Sequence, residues 1–573
     1  MATVQCARAA ANACADLGPK TACLMLPREF CVALQFLSLP TVSLRSWVLV
    51  GLFSLGLVGL LGLTLAGIRR WSKPRQATDD HLSTIGRNTS IPFALQMASR
   101  MLDLVFAMIL YRFLAAETVG AYDFAAVIVV NYFGTIADWG LTVLATHEIV
   151  RQPSQAPQTF RTTLWLRLRF AILALPIAVI FVLIYNGLAQ AEITAVGLTS
   201  QQITVITILM LTLFPAALSA SVTAWLQGHE RLVAAAVVNL LTNIGSAAFR
   251  LTALILGFGI IGIASGALAG ALLSALLFWL AMRRFFPEVA WFGPTLPAKP
   301  LLKEGYPLLL NSLLMTIFFR FDTILLSAFH GFVVSATYGV AYKLINFTQI
   351  VPPIVVNAIF PTLIRRSGDD RAGMSRAYAG TLRMLLNLAF GIAVVATIIA
   401  VPLTTWLADR PEYLPGSVYA LMITIWYLPG SYLNGLTQYV IIALGKKQAI
   451  TKAFGLTAMV NLGLNIWLIP RYSYFAAAAI TIVSELVLFL PLWLVLRREQ
   501  ININLASLFW RPALAALLAG GIGWLLLSIN VYLAGVVTGL IYGAGLWFSG
   551  SIGQTERELA ARMFKKLRPQ ASS

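Results

Sequence analysis

Windows of roughly 20 consecutive apolar residues recur along almost the whole of this sequence, and that is the length a helix needs to cross about 30 Å of hydrocarbon. No other feature restricts the fold as much. Backbone N–H and C=O groups in lipid must be satisfied within the segment itself, so long apolar runs become helices. Charge content agrees: 11% of the 573 residues are charged, against about 25% in soluble domains. The expected class is an all-α, polytopic membrane protein.

The spans read as Ile91 to Leu114, Ala121 to Val143, Leu168 to Tyr185, Val205 to Trp225, Val233 to Leu256, Ile260 to Met282 and Tyr306 to Phe329. They continue as Ser335 to Leu363, Leu382 to Thr404, Ser417 to Leu444, Ala453 to Ile469, Phe475 to Leu496, Pro512 to Ser528 and Val531 to Phe548. That makes about fourteen helices. Pro176, Pro215, Pro352, Pro353, Pro429 and Pro491 fall inside these spans, and kinks are expected there.

Loop charge supplies an independent test, because Lys and Arg accumulate in cytoplasmic loops. Alternate connections are cation-rich, with Arg151, Arg161 and Arg167 in one, Arg283, Arg284, Lys299 and Lys303 in another, and Arg562, Lys565, Lys566 and Arg568 in the tail. The opposite connections hold few cations, among them Arg410 and Arg471. A net charge of +19 is thereby read as a topology signal, with no nucleic-acid partner. The inner, cytoplasmic membrane is the expected location. The first 84 residues stand apart: all four cysteines lie before residue 32, and the apolar stretch 47–68 reads either as a further anchor or as part of a mis-assigned start.

The chain repeats itself. Arg100 in "SRMLDLVF" matches Arg320 in "FRFDTILL", Tyr122 matches Tyr338, and "AMRRF" matches "VLRRE", at an offset of about 217 residues. An even number of helices per repeat keeps both halves in one orientation. The expected organisation is an extension 1–84, an N-lobe of six helices 85–284, a cytoplasmic linker 285–305, a C-lobe of six helices 306–498, two further helices 499–549 and a cytoplasmic tail 550–573.

The stretches "RFDTILL" (320–326), "TYGVAYKL" (337–344) and "PTLIR" (361–365), with "VGAYDFAAVIVVNYFGTIADWGLTVLATHEIVR" (119–151), resemble the polysaccharide-export flippases of the multidrug/oligosaccharidyl-lipid/polysaccharide exporter superfamily. The resemblance covers roughly residues 85 to 500. It implies two lobes around a central cavity that opens alternately to each side.

Ionisable residues at membrane depth cost at least about 2.5 kcal/mol each on insertion scales and rarely face lipid. Arg100 and Asp103 share a helix face at i, i+3 and are placed to pair. Arg320 lies about 21 Å into its helix, Asp322 projects from another face, and Lys343 sits at similar depth on the next helix. These five are the candidate substrate-binding residues, and Glu485 is the candidate coupling-ion residue. Arg112, Arg250 and Arg383 lie near helix ends, where snorkelling to the interface is expected. The pairs Asn239/Asn243 and Asn461/Asn465 read as interhelical hydrogen-bond glue.

A flippase for a lipid-diphosphate-linked oligosaccharide needs deep cations, since Arg presents paired donors to phosphate oxygens. Arg100, Arg320 and Lys343 suit it. A cation-coupled drug exporter would need an acid-dominated cavity, for which Asp103, Asp138, Asp322 and Glu485 are candidates. A membrane-embedded glycan ligase or polymerase would need catalytic side chains in a long outer loop, and the outer loops are short. The favoured reading is the flippase: no enzyme, no cofactor, no metal, and no G-x-x-x-x-G-K-[ST] loop for ATP. Its partners would be a lipid-linked oligosaccharide, membrane lipids, and the polymerase and glycosyltransferases of polysaccharide synthesis.

Overall fold

The computed structural model describes residues 81–368 and 370–551, together with Val50, Gly51, Phe53, Ser54 and Gly56. The four cysteines, most of the stretch 47–68 and the tail from 552 lie outside the described residues. Among the described residues the secondary structure is helical, with no strand. Eleven of these helices are long and apolar enough to cross a membrane.

Two of the eleven are hairpins. In Ala298–Thr348 the Tyr338 hydroxyl donates to Asp322 Oδ2 at 2.9 Å, although residues 16 apart on a straight helix are separated by about 24 Å. The chain therefore reverses at Gly331, whose φ of 82° and ψ of 173° suit a residue without Cβ. In Lys447–Arg498, Asn461 Nδ2 donates to Ser484 Oγ at 2.9 Å, which requires the same reversal, at Ser473 (φ 54°, ψ −139°). Both turns fall where the apolar windows are interrupted. A further crossing, 416–443, is divided into three short pieces. The architecture is compatible with the expected fourteen.

In chain order the helices are α1 (His81–Phe113), α2 (Ala116–Arg151), α3 (Ala156–Gln190), α4 (Ser200–Gly228), α5 (Leu232–Ile255) and α6 (Gly259–Phe285). They continue with α7 (298–330), α8 (332–366), α9 (Arg371–Ile398), α10 (416–443), α11 (447–472), α12 (474–498), α13 (Leu505–Leu526) and α14 (Val531–Phe548).

The prolines mark joints more often than kinks. Pro352, Pro353 and Pro429 open new helical segments at Val351 and Leu428, and Pro215 lies in the first turn from Leu213. A missing N–H is harmless there. Pro176 and Pro491, by contrast, sit inside continuous helix. Helix α2 breaks without proline: Trp139 (φ 51°) and Gly140 (φ 70°) are both left-handed.

One hydrophobic core is drawn from α7 to α14. A second is built on α1 to α6 and also takes in Ala328, Phe332, Ala336, Val340, Leu407, Ala408 and Tyr413, so the two lobes share a seam on the cation-poor side. Contact there is backbone-close: a Cβ on Gly120 would lie 1.9 Å from the Phe332 carbonyl oxygen, and Ala195 N donates to Ala328 O at 2.7 Å. Towards the cation-rich side, α2 and α3 meet the start of α7, where Leu166 packs with Leu301 and Trp139 Nε1 donates to Leu302 O at 3.2 Å. Helices α13 and α14 pack on α9, with the Tyr542 hydroxyl donating to Asn387 O at 2.6 Å.

Candidate functional site

The charges at membrane depth gather where α1, α2, α5, α7 and α8 meet. Asp103 on α1 lies in the field of Lys343 on α8, then Arg250 on α5, then Arg100 one turn away. Asp123 on α2 lies in the field of Lys343 and then Arg320 on α7. Asp103 and Lys343 are exposed, while Arg100, Asp123, Arg250 and Arg320 are half-buried. None of the six makes an ion pair within 4.0 Å among the described residues. The local Arg100–Asp103 pair that i, i+3 spacing allows does not close. Asp103 instead sits between cations of both lobes, Lys343 acting on it most strongly among them.

Asp322 also lies in the field of Arg320, but its oxygens are taken up within the C-lobe. It is 5% exposed, and its oxygens accept from Thr323 N at 2.7 Å, the Tyr338 hydroxyl at 2.9 Å and the Tyr342 hydroxyl at 3.5 Å. The two tyrosines also meet Thr481 of α12, so Asp322 stitches α7, α8 and α12 together. The sequence reading grouped it with the cavity; the hairpin at Gly331 turns it into the C-lobe interior. Glu485 is likewise interior, 3% exposed and bonded to Asn434 on α10, away from the central charges.

Two residues of the cluster were not read as site residues from sequence. Arg250, expected to snorkel, lays its guanidinium over Phe106 at 4.5 Å, bonds Ser246 O at 3.2 Å and reaches the Tyr122 hydroxyl. The available signal was its helix face, since Asn239, Asn243, Ser246 and Arg250 follow i, i+4, i+7, i+11 spacing. Asp123 lies beside Gly339, where a Cβ would sit 3.5 Å from its Oδ2 and 3.3 Å from the Tyr111 hydroxyl. A lone acid in an aliphatic run carries no periodic signal.

Asp138, weighed as a cavity acid, is instead locked by Arg167. The guanidinium gives Nη2 to Asp138 Oδ1 at 2.9 Å and to Thr142 Oγ1 at 2.8 Å, and Nη1 to Ser221 Oγ at 2.7 Å. Arg167 is 1% exposed and so is no loop cation. Arg161, read with it, is also buried in α3, donating to Phe292 O at 3.1 Å. Arg112 binds the Trp406 carbonyl across the seam. With Asp138 and Glu485 engaged elsewhere and Asp322 buried behind Tyr338 and Tyr342, the central space presents four cations and two carboxylates.

Residues 85–367 match the family described as polysaccharide biosynthesis protein. A "Putative O-antigen transporter" of Shigella dysenteriae is 26% identical over 179 residues, 31% of this chain and 43% of that protein's own length. Among solved structures, the lipid II flippase MurJ in an inward closed conformation superposes with a TM-score of 0.60 at 14% identity, over 80% of this chain and 99% of that one. An inward-facing multidrug resistance MATE transporter does so with a TM-score of 0.55 at 14% identity, over 73% and 99%. Just under half of the chain thus matches the polysaccharide biosynthesis protein family, and its fold is the one these two solved transporters share.

Proposed function

We propose that this protein is a flippase that carries a lipid-diphosphate-linked oligosaccharide across the cytoplasmic membrane by alternating access. One observation carries the reading: Arg100, Arg250, Arg320 and Lys343 converge from both lobes on one space at membrane depth without being neutralised by ion pairs. Cations left free at that depth are costly, and a diphosphate, multiply anionic and suited to the arginine fork, compensates them. Organic cations would meet net repulsion there, which argues against drug export.

The seam on the cation-poor side is closed by Gly120, Phe332, Ala195 and Ala328. The loop charges make that side the outer one, so the cavity faces the cytoplasm, where the cargo would load. Movement of intact cargo needs no bond chemistry, hence no catalytic residues. Glycosyltransferases would supply the substrate and a polymerase would consume it.

The test is translocation of a polyprenyl-diphosphate oligosaccharide by purified protein in liposomes, with thermal stability of the same variants. Arg320→Ala should fold normally and lose transport, and Arg320→Lys should recover part of it. Wild-type transport by a well-folded Arg320→Ala protein overturns the reading.

A further inference from the structure

Glu485 lies deep in the C-lobe, and no Lys, Arg or His among the described residues pairs with it. Its donors are neutral: Asn434 Nδ2 at 2.7 Å from Oε2, and the Ser431 hydroxyl. The same Asn434 nitrogen also donates to the Glu485 carbonyl at 2.7 Å. Two acceptors on one side fix the amide's orientation, since only its NH₂ end can face them both. Asn434 Oδ1 is then buried with no hydrogen-bond partner. Helices α10 and α12 touch closely here, a Cβ on Gly430 falling 2.8 Å from Glu485 Cβ.

An uncompensated carboxylate and an acceptor lacking a donor thus belong to one interacting pair of side chains, and both conditions are unfavourable in a buried site. A single proton relieves both. We propose that Glu485 is a proton-binding site: its carboxyl carries a proton on Oε1 and donates it to Asn434 Oδ1, closing an acid–amide pair with two hydrogen bonds.

The surroundings say what release of that proton would move. Ser431 Oγ also accepts from Gln349 Nε2 at 3.0 Å, Gln349 Nε2 donates to the Tyr427 hydroxyl at 2.6 Å, and the Tyr432 hydroxyl donates to Thr348 O at 2.6 Å. Thr348 and Gln349 form the joint of α8, beyond which the arm Val351–Arg366 begins. The titratable groups facing this pocket are Tyr427 and Tyr432 from α10, Tyr342 from α8 beside Tyr427 and, through Thr481 one turn along α12, Tyr338 from α8 with Asp322 from α7. Helix α11 contributes the neutral Asn461, bonded to Ser484. When Glu485 gives its proton to water, the anion pulls Ser431 and Asn434 onto itself and the α8 joint loosens. This consequence rests on the transport reading; the proton itself does not.

The experiment uses the full chain in liposomes. Infrared difference spectra across a pH jump should contain a protonated-carboxyl carbonyl band that disappears in Glu485→Gln and shifts in Asn434→Leu. Glu485→Gln is isosteric with the neutral acid and offers Nε2 to Asn434 Oδ1, so it should keep the wild-type Tm. An imposed pH gradient should change the rate of polyprenyl-diphosphate oligosaccharide transport several-fold in wild type and not in Glu485→Gln. A band unaffected by Glu485→Gln, a large drop in its Tm, or a response to a sodium gradient in place of the pH gradient overturns the proposal. Should the band behave as expected while the wild type moves no cargo, the proton site stands and the flippase reading fails.

Discussion

Helices α5 and α11 occupy corresponding places in the two halves and both carry asparagines at i, i+4, yet the side chains do opposite things. Asn461 and Asn465 on α11 are 3% and 1% exposed, and Asn465 donates to Asn461, which donates to Ser484. Asn239 on α5 is exposed, Asn243 is half-buried, and neither makes a hydrogen bond among the described residues. The matched tyrosines divide the same way. Tyr338 binds the carboxylate of Asp322, whereas Tyr122 is bonded to the cation Arg250. A repeated scaffold thus carries two uses of polarity. On these matched positions the C-lobe uses its polar groups to hold helices together, and the N-lobe leaves its asparagines without protein partners among the described residues, for water or cargo to satisfy.

The largest effect expected from a single substitution tests where the N-lobe keeps its own cohesion. Asp138→Ala removes the carboxylate that holds Arg167, leaving a cation that is almost fully buried; the cost should be about 3 kcal/mol, the low end for a broken buried pair because Asp138 is partly exposed. Thermal unfolding in detergent checks it. A change below about 0.5 kcal/mol would mean that Ser221 and Thr142 alone support the guanidinium.

The asparagine pairs come next. Asn461→Ala strands Asn465 and Ser484 in the C-lobe interior and should cost about 1 to 3 kcal/mol. Asn243→Ala should stay within about 0.5 kcal/mol while slowing transport. Reversed magnitudes would break the comparison between the lobes.

The reading of the sequence succeeded where one segment decides its own structure. Apolar windows located the helices, and their interruptions located the reversals at Gly331 and Ser473, because span length depends on local composition. It fell short where a second helix decides. Arg250 was placed at the interface by its distance from a helix end, and only the packing of α5 on α1 puts Phe106 beneath it. Asp322 was placed in the cavity by depth, and only the hairpin brings Tyr338 and Tyr342 over it. Arg167 read as a loop cation because helix α3 begins earlier than its apolar run.

A comparable effect is expected at the seam. Gly120→Ala puts a methyl into the Phe332 backbone, and the helices must separate, at about 1 to 3 kcal/mol for overpacking. Because only the closed seam suffers, the substitution should favour conformations in which the lobes part on that side. Faster labelling of a cysteine at Ala328 would register it, and unchanged labelling would show that the seam yields without opening.

The smallest effect concerns how the C-lobe completes the N-lobe. Helix α2 starts at Ala116 with Ala115 as its N-cap and no side-chain cap of its own, so its first N–H groups need outside acceptors. Glu412, from the loop between α9 and α10, supplies one: Ala116 N donates to Glu412 Oε2 at 2.7 Å. Two residues away, Arg410 Nε donates to Arg112 O at 3.1 Å and caps the C-terminal end of α1. An anion at a helix N-terminus and a cation at a C-terminus each complement the helix dipole. One loop of the C-lobe thereby caps both neighbouring helix ends of the N-lobe, but only while the seam is shut. Glu412→Ala should cost the closed state about 1 kcal/mol, the usual worth of a cap, and shift the balance towards the open seam about fivefold. Pulsed electron paramagnetic resonance distances between spin labels at Glu117 and Asp409, with the four native cysteines replaced, should then show a larger long-distance fraction in the variant. An unchanged distribution would mean that the apolar seam alone holds the lobes, and that the caps serve the two helices without gating anything.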